Sequence, residues 1–130
     1  MSDQDVTQRP WVQVLFEDRG GNLWLGTHTR GLYRIWNGWA RRVSTRDGVV
    51  DPLVWSVLRA PDGTIVFGTN SDVEAFDGKN VRRLIPGSAL PNPSAYELYY
   101  DLESRLWGGT RAGIPVFDQG RDVSPKALSA

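Results

Sequence analysis

The chain has 130 residues, enough for one ordinary domain, and its 15 acidic and 15 basic side chains cancel. That balance argues against long-range attraction to nucleic acid or to an anionic membrane surface, and no nucleic-acid partner is expected. The lack of cysteine excludes disulfides, thiolate metal sites and a cysteine nucleophile.

The first ten residues, MSDQDVTQRP, form a polar N-terminal segment without the apolar stretch of a signal peptide. No run further on reaches the roughly 18 apolar residues of a membrane span, so no membrane contact is expected within this segment. From residue 11 a pattern begins. An apolar run, WVQVLFED (11–18), meets the turn RGGN, then the strand LWLGT, then GLYRI (31–35) and WARRV (39–43). The pattern returns with LVWSVLRA (53–60), PDGT, the strand IVFGT, DVEAF (72–76) and NVRRL (80–84). It returns again with AYELYYD (95–101), LESR, LWGGT and GIPVF (113–117), after which RDVSP makes a poor fourth strand.

The register is set by Gly26, Gly68 and Gly109, at steps of 42 and 41 residues. Val14, Ser56 and Glu97 then occupy matching positions, and the two Arg-Arg pairs lie 41 apart. In the second unit Ala60 stands where Asp18 is, Val66 where Trp24 is and Glu74 where Leu32 is. No segment carries apolar residues at helical spacing over ten or more positions. Fourteen glycines, eight prolines and six tryptophans suit short strands and tight turns.

Four-stranded units of about 40–45 residues predict an all-β chain of about three antiparallel β-propeller blades. The expected boundaries are 11–43, 53–84 and an incomplete third blade at 94–120, followed by a tail at 121–130. Middle strands covered on both faces lose strict alternation, which accounts for LWL and IVF. The glycine that follows lets a neighbouring blade come close. Trp24, Trp55 and Trp107 are expected in the core between blades. Asp18 and Asp101 are expected to cap their turns.

The run VLFEDRGGNLWLGTHTRGLYRI resembles the repeat of the two-component regulator propeller, whose general form is an apolar strand, Glu-Asp, a Gly-Asn turn, Leu-Trp-Ile-Gly-Thr and Gly-Leu-Tyr-Arg-Phe. The third unit keeps Asp101, LWGGT and Gly113; the second is worn. This resemblance implies a ligand-sensing region on the periplasmic side of the inner membrane, read by an output module such as a histidine kinase or a diguanylate cyclase. It also implies a ring of about seven blades, on the order of 290 residues at this period. Three blades cannot close such a ring. A piece of a longer chain, two copies forming a six-bladed ring, and an open arc with polar outer faces all stay open as accounts of that.

Strand direction alternates within a blade, so the loops after the second strands share one end with the blade-to-blade connections. His28, Arg30, Asn70, Asp72 and Arg111 lie in those loops and are the candidates for contact with an unidentified small-molecule or carbohydrate ligand. No cofactor or metal is expected, because one histidine without cysteine cannot supply three or four ligands. The serines lack the context of a nucleophile elbow, and Glu17 and Asp18 point to opposite faces, so no catalytic residue is expected. The Arg pairs lie on outermost strands and are expected to guard a sheet edge. The expected function is a non-catalytic sensor or binding module. A protein-interaction scaffold is the alternative, with an enzyme similar to streptogramin lyase as a further one.

Overall fold

Alternation of apolar runs with glycine turns gives twelve strands among the described residues, 10–125, of the computed structural model. The expected N-terminal segment up to residue 9 and the tail beyond 125 lie outside them. Strands β1 (Val12–Glu17), β2 (Leu23–Thr27), β3 (Leu32–Trp36) and β4 (Trp39–Val43) make the first sheet. The second holds β5 (Val54–Arg59), β6 (Ile65–Thr69), β7 (Val73–Phe76) and β8 (Val81–Ile85). The third holds β9 (Glu97–Tyr100), β10 (Leu106–Gly109), β11 (Val116–Asp118) and β12 (Arg121–Asp122). All neighbours are antiparallel and follow chain order. Thus β12 is a two-residue fourth strand within the stretch expected as tail. Short 3₁₀ turns, Thr45–Asp47 and Gly87–Ala89, lie in the two connections between sheets.

The sheets stack as propeller blades. First strands lie side by side, β1 on β5 and β5 on β9, so they form the inner edge. Two cores hold the stack. Trp24, Leu32 and Val43 meet Val54, Phe67 and Phe76 between the first two blades. Val66, Val73 and Ile85 meet Ala95, Leu106 and Phe117 between the second and third.

The matching glycines set the blade spacing. In register, Val14, Ser56 and Glu97 pair with Gly26, Gly68 and Gly109, as the repeat requires. A Cβ on Gly26 would sit 2.8 Å from Val54 Cγ1 of the next blade, and one on Gly68 would sit 2.6 Å from the Ala95 carbonyl oxygen. Gly109 meets only Glu97 of its own sheet, its nearest contact being Cβ at 3.4 Å. Its face of the third blade is open, with Tyr99 and Ile114 exposed on it and Trp107 half-buried. Trp107 therefore departs from the core position expected for it, while Trp24 keeps it.

Two further positions differ from the sequence reading. Pro115 lacks an N–H, so the third strand of the third blade is confined to 116–118, although the Pro115 carbonyl still accepts from Gly108 N–H. Glu74 pairs with Phe67 as Tyr33 pairs with Leu25, while Val73 takes the place of Leu32. The loop after Thr69 is one residue shorter than the loop after Thr27, which shifts the alignment by one.

At the end that carries the β1–β2 turn, Asp18 accepts from the N–H groups of Gly20 and Asn22 and from Trp24 Nε1 at 2.9 Å. Asp101 does the same for Glu103, Arg105 and Trp107 Nε1 at 2.8 Å. Both aspartates cap their turns as expected. Burial opposes ionisation of Asp18, but the bonds from Trp24, Asn22 and Gly20 outweigh it and lower its pKa. The bond from Trp107 is the largest influence on Asp101 and holds it far below the usual carboxylate range.

Candidate functional site

The loops that follow the Gly-Thr strands open at the other end of the stack, and the threonines fasten them. Thr27 Oγ1 donates to the Gly31 carbonyl and accepts from Arg30 N–H. Thr110 Oγ1 donates to the Gly113 carbonyl and accepts from Ala112 N–H. Thr69 Oγ1 accepts from Ser71 and Asp72 N–H groups and donates to Asp72 Oδ1 at 2.8 Å. The connection between the first two blades ties the loops of both again, through Gly31 N–H to the Pro52 carbonyl and Ser71 Oγ to Asp51 Oδ2.

One residue beyond each threonine, the three blades present different polar heads at one structural position: His28, Asn70 and Arg111. Each is backed by the second residue of the inner-edge segment. Gln13 Nε2 lies 3.3 Å from His28 Nδ1, Trp55 Nε1 donates to Asn70 Oδ1 at 3.2 Å, and the Arg111 guanidinium lies 5.7 Å from the Tyr96 ring centre. The supports are themselves joined. The Trp55 and Tyr96 rings meet edge to face at 4.7 Å across the boundary between the second and third blades. Trp11 stacks on His28 at 4.5 Å, and its carbonyl accepts from His28 N–H. Ser94 Oγ donates to Asn70 Oδ1 at 2.7 Å, which fixes that amide from a second side.

The result is an arc along the inner rim. It offers a cation, an amide and an imidazole, alternating with aromatic surface from Trp11, Trp55 and Tyr96. Such a surface suits a polar ligand with flat apolar faces, since rings contribute contact area and planar polar groups give direction.

Of the five residues proposed from the sequence, His28, Asn70 and Arg111 occupy this rim. Asp72 does not. It is only 1% exposed, and its Oδ2 is bound by Arg83 Nε at 2.9 Å, so it holds the loop from beneath. Arg30 is half-buried, with its N–H held by Thr27 and its carbonyl accepting from Arg42 Nε. Arg42 and Arg83, one from each Arg pair on the outermost strands, therefore brace the loops. Trp11, Gln13, Trp55 and Tyr96 complete the rim and were not among the candidates; Trp55 is half-buried here rather than in the core. Gln13, Trp55 and Tyr96 recur at the same steps of 42 and 41 as the glycines, a signal that the repeat already contained. Among the described residues no cluster of three or more His, Asp or Glu side chains is disposed to hold a metal ion.

Residues 8–29, which include the hairpin of the first blade, match the family model of the two component regulator propeller. Among solved structures, the extracellular domain of BT3049, described as a hybrid two component system from B. thetaiotaomicron, superposes with a TM-score of 0.75 at 18% identity. That match covers 95% of this chain and 18% of the other. The extracellular domain of BT4673 from the same organism, also described as a hybrid two component system, gives 0.70 at 20% identity, covering 89% of this chain and 16% of the other. Virginiamycin B lyase from Staphylococcus aureus, as a catalytically inactive variant with quinupristin, gives 0.68 at 18%, covering 86% and 40%. The chain thus spans less than half the length of each. At these identities the likeness shows the fold alone, which extracellular domains of two component systems and a lyase share. No curated protein matches the chain. Among the described residues no helix is long and apolar enough to cross a membrane.

Proposed function

We propose that this chain is a ligand-binding part of the propeller region of a two-component-type receptor, that it faces the periplasm, and that it binds without catalysis. The observation that carries this reading is the rim itself. One position in three consecutive blades keeps its support on the inner edge while its head changes from imidazole to amide to guanidinium. A repeat holds its structural residues constant and varies those that meet a ligand, because loops on a rigid scaffold are free to change. The family match over the first hairpin and the likeness to extracellular domains of hybrid two component systems support the receptor setting. Aromatic faces between planar polar heads make an oligosaccharide the ligand class of choice.

The test is a titration of the chain with a panel of neutral and acidic oligosaccharides, followed by tryptophan fluorescence and calorimetry. Binding should fall at least tenfold in Asn70→Ala and Arg111→Ala and stay unchanged in Glu103→Ala at the opposite end. Saccharide binding that ignores both rim substitutions, or no binding across the panel, counts against the proposal.

A further inference from the structure

The boundary between the first two blades contains a side-chain network that the next boundary lacks. Asp18 accepts from Trp24 Nε1 at 2.9 Å and from Asn22 Nδ2. Arg34 Nε donates to Asn22 Oδ1, and its guanidinium lies 5.9 Å from the centre of the Trp24 ring. The indole then meets Phe76 of the second blade edge to face at 6.1 Å. Strand register identifies the counterparts one blade later. Trp24, paired with Arg34, corresponds to Val66, paired with Ala75. Asp18 and Asn22, whose backbones close the turn, correspond to Ala60 and Thr64. The ring, its acceptor and the cation over it have all been cut back. The opposite wall has not: Phe117 pairs with Leu106 as Phe76 pairs with Ile65, so the third blade still presents a phenyl ring.

A cleft of about 340 Å³ lies at this boundary, lined by Ala60, Leu84, Tyr100, Leu106 and Phe117, with Asp62 at its edge. That is near the lower end of small-molecule sites, roughly 300–1,000 Å³. Ala60 and Phe117 are the counterparts of the two residues that touch the Trp24 ring from the turn and from the next blade. The Asp62 carboxylate is held by Thr64 N–H at 3.0 Å and by Thr64 Oγ1 at 2.8 Å. It puts a fixed acceptor two residues from where Asp18 serves in the first blade. We infer that this cleft is a second binding site, separate from the rim, for a flat bicyclic aromatic molecule of indole size with an N–H donor directed at Asp62. The ligand takes the place that a tryptophan of the chain occupies one blade earlier. Apolar spaces left by a missing side chain bind rings of matching shape, because their walls gain dispersion contacts they otherwise lack.

The probe is indole, titrated into the whole chain by NMR and by thermal shift. Saturable binding is expected, with intermolecular nuclear Overhauser effects from indole to the Ala60 methyl and to the Phe117 ring. Val66→Trp should fill the cleft from within and weaken indole binding at least tenfold, while Arg111→Ala on the rim leaves it unchanged. If Val66→Trp does not fold, the contacts in the unaltered chain decide the matter. Effects to Ala60 and Phe117 uphold the site. Effects confined to Tyr99 and Trp107 on the open face of the third blade, no saturable binding, or undiminished binding by a folded Val66→Trp would overturn it.

Discussion

Replacing Glu74 with glutamine should stabilise this chain by an amount that grows with pH. Glu74 is fully buried in the third strand of the second blade, and its carboxyl oxygens accept from Val50 N–H at 3.0 and 3.3 Å. Desolvation, followed by the hydrogen bond and charge of Asp72, pushes its pKa from 4.5 up to about 8. The folded state therefore keeps a proton that the unfolded chain releases above its ordinary carboxylate pKa. The stability tied to this group is complete below pH 4.5 and is lost as pH rises to about 8. At about 1.4 kcal/mol per unit, that shift sets a ceiling of about 5 kcal/mol. Screening at an effective dielectric near 20, with Arg83 close by, brings the expected effect to about 1–3 kcal/mol. A glutamine amide can donate to Asp72 and accept from Val50 without a proton to lose. Urea denaturation of both chains at pH 5 and pH 8 is the assay. The two should be nearly equal at pH 5, with Glu74→Gln ahead by about 1–3 kcal/mol at pH 8. An equal difference at both pH values, or one that shrinks as pH rises, would refute the reasoning.

Three other predictions concern how the blades are held. Gly68→Ala forces a Cβ to 2.6 Å from the Ala95 carbonyl oxygen and should cost about 1–3 kcal/mol. Gly109→Ala should stay within about 0.5 kcal/mol; thermal melts that rank the two the other way would show that these glycines do not set blade spacing. Asp18→Ala strips Trp24 Nε1 and two turn N–H groups of their acceptor, at a cost of about 1–3 kcal/mol. Its coupling to Trp24→Phe in a double-mutant cycle should be about 1 kcal/mol, and strict additivity would remove the bond from the account. Arg83→Leu leaves the buried Asp72 carboxylate without its ion pair and should destabilise by about 1–3 kcal/mol, reduced from a fully buried pair because Arg83 is half exposed. Adding Asp72→Asn should recover most of that loss in the same urea titration.

Much of the architecture was legible because it rests on local rules that repeat. Turn glycines, apolar pentamers and a period near 41 residues identify four-stranded units, since each strand's pleat and each tight turn is set by a few neighbouring residues. The same period marked His28, Asn70 and Arg111 as equivalent. It failed where one residue was missing. The shorter loop after Thr69 moved Glu74 onto the position of Tyr33, and a one-residue slip in a strand exchanges the two faces.

What the sequence determined without help is the blade: its strands, its turns and the aspartates that cap them. Only tertiary structure decided which blade face meets which. Stacking buries Trp24 against Phe76 but leaves Trp107 half-exposed beside Gly109. It turns Trp55 and Tyr96 from expected core and anonymous strand residue into the support of a rim, and it draws Asp72 inward onto Arg83. The physical reason is that burial between blades belongs to pairs of faces some forty residues apart in the chain. A residue's exposure there depends on its partner face, which no local pattern specifies.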